Sequence, residues 1–158
     1  MVSMELHPFT QLELPGPVGA RIGTTMKLHT WQEIALEQLN PSFARRVIHG
    51  SNLTLANVIL TKGSEVPWHS HLNEQMTVML TGKLLFEFEG GHEFTVSEGQ
   101  VMEIAPHLRH RVVALEDSTA FDLFAPVRED WLKGNDAYLR GVKSKQQAPE
   151  PTGILKTI

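Results

Sequence analysis

Between residues 46 and 125, short β-prone runs recur at nearly even spacing, which limits the chain to an antiparallel sandwich or barrel. The runs cover residues 53–61, 76–81, 84–89, 92–96, 101–104, 110–115 and 119–125, most of them separated by Gly, Pro or Asp/Ser. Gly90-Gly91 marks the clearest hairpin, because such a pair readily takes the positive φ that a two-residue turn needs. In its first strand Leu84, Phe86 and Phe88 face one way, and Leu85, Glu87 and Glu89 the other. The run 53–61 is apolar on both faces, as expected of a strand between two layers.

The flanks read differently. Residues 1–27 form an arm in which Pro8, Pro15, Gly16, Pro17 and Gly19 break any regular pattern. Residues 30–39 fit a short helix: Thr30 and Glu33 make a capping box, Trp31, Ile34, Ala35 and Leu39 share a face, and Asn40-Pro41 stops it. Residues 128–141 suggest a closing helix and turn, and the polar, Pro-containing stretch 142–158 a flexible tail. The expected folded domain is therefore 28–141, preceded by the arm and followed by the tail.

Composition removes several functions. The 158 residues suffice for one core, and a net charge of −4 with no basic stripe argues against nucleic acid. The pair Arg45-Arg46 reads as solvated surface charge. No run of about 18 apolar residues is present, so a spanning helix is not expected, and the first twenty residues lack the pattern of a secretion signal. The absence of cysteine removes disulfides, thiolate zinc and thiol nucleophiles, and suits a cytoplasmic protein. His, Asp, Glu and Gln are left as candidate ligands and catalysts.

One segment gathers them: Gly63-Ser-Glu-Val-Pro-Trp-His69-Ser-His71-Leu-Asn-Glu74-Gln75. In a strand, residues i and i+2 point to one face, so His69 and His71 converge on one point inside a barrel. Two imidazoles at about 2 Å make a common metal half-site. Gly63 lies six positions before His69, Gly82 seven after Gln75, and Gly99 eleven before His110. These spacings resemble the two signature motifs of the cupin superfamily over roughly residues 46–125. The resemblance implies an all-β, single-barrel jelly roll (a double-stranded β-helix) with short helical additions at both ends. It also implies a divalent metal on His69, His71, Gln75 and His110. Gln75 stands where most cupins have Glu; Glu74 is a rival ligand that strand parity leaves open, though the spacing to Gly82 favours Gln75. Ala105-Pro106-His107 departs from a common Pro-x-Gly, and His107 reads as a rim histidine rather than an extra ligand. Three His and one Gln are all neutral, which favours Lewis-acid chemistry over oxygen chemistry and leaves Ni, Zn, Fe, Mn or Co open.

Downstream, Asp122 sits in an apolar strand that the turn at Asp117-Ser118 would make the hairpin partner of 110–115. Asp122 would then lie almost opposite Val112, with His110 and Phe124 on the same inner face. Burial there would raise its pKa and suit it to general acid/base work. Phe124 and Trp68 are candidate substrate-pocket walls. His69-Ser-His71, Glu74-Gln75 and Asp122-x-Phe-x-Pro-x-Arg128-Glu-Asp together resemble the KdgF-type cupins of pectin and alginate degradation. Those proteins convert 4,5-unsaturated monouronates to linear 4-deoxy-5-keto-uronates. The resemblance implies a metal on His69, His71, Gln75 and His110, Asp122 as acid/base, and Arg128 gripping the sugar acid. It also implies a small carboxylate substrate, no membrane partner and a homodimer. The alternatives are a cupin dioxygenase or lyase on another small carboxylate, and a cupin that binds ligands without catalysis.

Overall fold

The structure is a computed structural model that describes residues 26–141; the arm up to residue 25 and the tail 142–158 lie outside the described residues. Ten strands follow one another as β1 (Glu37–Asn40), β2 (Phe43–His49), β3 (Thr54–Leu60), β4 (Glu65–His69) and β5 (Glu74–Thr81), then β6 (Lys83–Phe88), β7 (His92–Ser97), β8 (Val101–Ile104), β9 (His110–Ala114) and β10 (Ser118–Ala125). They form a six-stranded sheet in the order β1-β2-β3-β10-β5-β8 and a four-stranded sheet in the order β4-β9-β6-β7, with every pair antiparallel. Apolar side chains from both sheets meet between them, among them Phe43, Val58, Met79, Phe86, Ile104 and Val112. This is the expected all-β jelly roll.

Strand alternation follows the sequence closely. Leu84, Phe86 and Phe88 are buried while their neighbours are partly exposed. The β6–β7 hairpin pairs Phe88 with His92, so its loop holds three residues, Glu89, Gly90 and Gly91, one more than expected. Both glycines have positive φ, 94° and 85°. In β3, lying between β2 and β10, each buried residue alternates with a partly buried one, as a central strand requires.

Three expectations need correction. The helix over 30–39 is only a single 3-10 turn, Trp31–Glu33, and the Thr30 side chain makes no capping bond. The chain instead turns into β1, which pairs with β2 and buries Leu39 to 5% exposure. Helix propensity is a weak force beside a full ladder and a buried leucine. Second, Arg45 is not solvated: it is 3% exposed and held by Glu37 and Asp136. Third, β9 and β10 are not hairpin partners. β9 lies between β4 and β6, while β10 lies between β3 and β5, so residues 115–117 carry the chain from one sheet to the other. A turn motif dictates reversal but not which sheet receives the next strand. Asp122 therefore faces Thr77 and Ala56 in its own sheet, and shares with His110 and Val112 only the cavity between the sheets.

After β10 the chain makes a one-turn helix, α1 (Glu129–Leu132), and a 3-10 turn, Ala137–Arg140, ended by Gly141 at φ 69°. This segment is pinned onto β1 and β2. Asn40 Nδ2 donates to Leu139 O at 2.9 Å, and Asp136 is 2% exposed between Arg45 and Arg140, with Glu37 completing the set of charges. The closing helix and turn expected over 128–141 are thus present, and they cover one end of the barrel's interior.

Candidate metal centre and its cavity

His69 ends β4 and His110 begins β9, and the two are directly paired across these strands. Their ring centroids are 4.3 Å apart. His71 lies two residues beyond the end of β4, in the loop before β5, with its ring 5.7 Å from His69 and 5.4 Å from His110. One nitrogen from each ring falls within 4.8 Å of the other two.

The ring orientations have a common cause. His69 Nδ1 donates to Pro67 O at 2.8 Å, His71 Nδ1 to Asn73 O at 2.9 Å, and His110 Nδ1 to Leu108 O at 2.8 Å. A carbonyl only accepts, so each Nδ1 carries the proton and each Nε2 presents a lone pair. Burial lowers the pKa of all three: His69 to about 3, with the neighbouring His110 adding to the effect, and His71 to about 4, with Arg128 adding. His110 is lowered by burial and then by Arg128. The rings are neutral at ordinary pH, the form that ligates metal.

Gln75 completes the set. It is buried, whereas Glu74 is exposed on the opposite face of β5. Its Nε2 donates to Thr77 Oγ1 at 2.9 Å and to Asp122 Oδ1 at 3.3 Å, which leaves Oε1 3.0 Å from His71 Nε2. Two acceptors at that distance repel unless a cation lies between them. Three imidazole lone pairs and an amide oxygen turned to one point are a donor set that fits a divalent metal. His107 is exposed and outside the cluster; its backbone N–H donates to His71 O at 2.7 Å, from the left-handed φ of 64°.

Asp122 is paired with Thr77 across β10 and β5, and accepts from Thr77 Oγ1 at 2.5 Å. Burial pushes its pKa up to about 6, against the pull of the Thr77 and Gln75 hydrogen bonds. Arg128 is 1% exposed and forks onto Asp130, Nε to Oδ1 at 2.9 Å and Nη2 to Oδ2 at 2.7 Å, while Nη2 also donates to Tyr138 Oη at 2.9 Å. Its Nη1 has no protein partner among the described residues. Phe124 is buried, 5.4 Å from the His71 ring and under the Arg128 guanidinium at 4.7 Å.

One cavity of about 40 Å³ is lined by His69, Gln75, His110, Asp122, Phe124 and Arg128, among others. Trp68 is not with them: it points away, under the Arg109 guanidinium at 5.4 Å, and lines a separate groove beside the β6–β7 loop. Sequence reasoning missed four neighbours. Thr77 orients Asp122. Asn73 joins the His71 loop to the carbonyls of Pro126 and Val127. Tyr138 stacks on His69 at 5.0 Å, and Trp131 lies against both Phe124 and Arg128. The alternation of β5 could have revealed Thr77; the aromatic pair in a polar closing segment was the only sign of the other wall.

Comparison with known proteins agrees with this geometry. Residues 56–124 match the family Cupin_2, described as a cupin domain. Among solved structures, KdgF from Halomonas sp. is 28% identical, with a TM-score of 0.63 over 68% of this chain and 99% of that one. An RmlC-like cupin from Shewanella frigidimarina is 20% identical, with a TM-score of 0.63 over 68% and 96%. Oxalate decarboxylase from Bacillus subtilis, described for its Mn(II) centres, is 22% identical, with a TM-score of 0.56 over 66% of this chain and 30% of that one. No curated protein matches the sequence.

Proposed function

Starting from a chain that carries a cupin domain, we propose a metal-dependent enzyme that acts on a small sugar acid and converts 4,5-unsaturated monouronates to linear 4-deoxy-5-keto-uronates. One observation carries the reading. The Gln75 amide turns its oxygen to the histidine cluster and its nitrogen to Asp122, so metal ligands and a carboxylate of raised pKa share one cavity. A divalent metal on His69, His71, Gln75 and His110 would supply a Lewis acid of undiminished charge. Arg128, with Nη1 unengaged, binds the substrate carboxylate. Asp122 takes the proton of the hydroxyl that opens the ring and returns one to carbon as the enol becomes a ketone. Its pKa of about 6 lets it do both near neutral pH. Phe124 walls the cavity and keeps water from it.

The test is incubation of the metal-loaded protein with unsaturated galacturonate while its ultraviolet absorbance is followed. Loss of absorbance well above the buffer rate is expected. For Asp122→Asn the rate should fall by about 10²–10⁴-fold with metal content unchanged. No acceleration by the unaltered protein sinks the uronate assignment; equal rates for Asp122→Asn sink the acid/base role.

A further inference from the structure

The matched cupin domain ends at residue 124, yet part of the cavity wall comes from beyond it: Arg128, Trp131, Tyr138 and Leu139. Of these, Tyr138 stands closest to the chemistry. Its ring stacks on His69 at 5.0 Å and its Oη accepts from Arg128 Nη2 at 2.9 Å. An oxygen that accepts from a guanidinium still has its own proton to give, and among the described residues no acceptor takes it. Trp131 adds a second such group: its Nε1 is buried with no partner among the described residues, and its ring packs against the guanidiniums of Arg45 at 4.2 Å and Arg128 at 4.3 Å. Arg128, Tyr138 and Trp131, each with a donor that has no acceptor among the described residues, thus line the same cavity as the acceptor Asp122. A donor-rich wall is matched to an anionic, oxygen-bearing ligand.

We infer that Tyr138 is a substrate-binding residue of this site, donating its phenol proton to an oxygen of the bound acid. The inference rests on the reading of the cavity as an acid site and adds to it a wall that the cupin domain itself does not supply.

The experiment uses the full chain loaded with metal and compares binding of glycerate and galacturonate by titration calorimetry, with metal content and melting temperature as controls. Tyr138→Phe should weaken both acids by about 3–10-fold, the loss of one hydrogen bond, at unchanged metal content. Tyr138→Ala should weaken both acids at least as much, with the melting temperature showing that the closing segment stays folded. A Tyr138→Phe protein that binds both acids as the unaltered protein does overturns this inference and leaves the acid site standing. If the unaltered protein binds neither acid, both this inference and the acid-site reading fall.

Discussion

The cavity is built from two kinds of structure. One side comes from regular strands: His69 on β4, His110 on β9, Gln75 on β5 and Asp122 on β10, each placed by ladder register. The other side comes from the irregular stretch after β10, held down by buried charges and aromatic rings rather than by a ladder. The two are joined through Asn73, whose own carbonyl orients His71 while its side chain grips the backbone of Pro126 and Val127. The difference suggests a division of labour. Strands fix His69, His110, Gln75 and Asp122 in register, and the appended segment supplies the facing wall with Arg128, Trp131 and Tyr138.

The sharpest way to break this division is to remove a strand-borne ligand. His110 is 1% exposed and central to the cluster, so His110→Ala should lower metal affinity by more than about 100-fold, beyond the range of outer-sphere changes. Metal content after dialysis measures this, and full occupancy in the variant would dismiss the cluster as a metal site.

A smaller effect concerns acid. With folded-state pKa values near 3 and 4 for His69 and His71, the unfolded chain binds protons below about pH 6.5 that the folded chain does not. Stability of the metal-free protein must then fall as pH drops from 6.5 toward 3. Asp122 acts in the opposite sense between 3.8 and about 6, but it is one group against three lowered imidazoles. We expect the melting temperature of the metal-free protein to fall by more than about 10 °C between pH 7 and pH 4. A flat profile would mean that the rings are not buried in solution as described.

The smallest effect isolates the appended segment. Asp136→Asn weakens its anchor to Arg45 but leaves Glu37 facing the same guanidinium, so the loss should be about 2 kcal/mol, below the roughly 3–5 kcal/mol of a fully orphaned buried charge. That corresponds to a fall of about 5 °C in melting temperature. Metal affinity should stay within about threefold; if it collapses as well, the two walls are one cooperative unit.

How much of this was legible depended on the range of the interaction. Strand alternation in β3 and β6 and the glycine spacing around His69, His71 and His110 are local patterns, and all of these are where the chain placed them. The spacing to Gly82 favoured Gln75 over Glu74, while strand parity could decide nothing until β5 was seen to run from Glu74, with Gln75 buried and Glu74 exposed. The capping box read at Thr30 does not form, and the helix it announced gives way to the pairing of β1 with β2. The partner of β10 was misread because a turn says nothing of which sheet comes next. Arg45 was misread as surface charge because its partner Asp136 lies 91 residues away, and no window of sequence connects them. Tyr138 and Trp131 escaped for the same reason.

The three Nδ1 hydrogen bonds have one more consequence. Each histidine is aimed by a carbonyl only two residues from itself, so the aim is written within a few residues of chain, and distant packing adds to it. Rings already locked in place surrender no rotational freedom when an ion arrives, and they do not rearrange to please it. An ion bound here would have to accept the bond angles it finds, so the cluster would act as a mould rather than a glove.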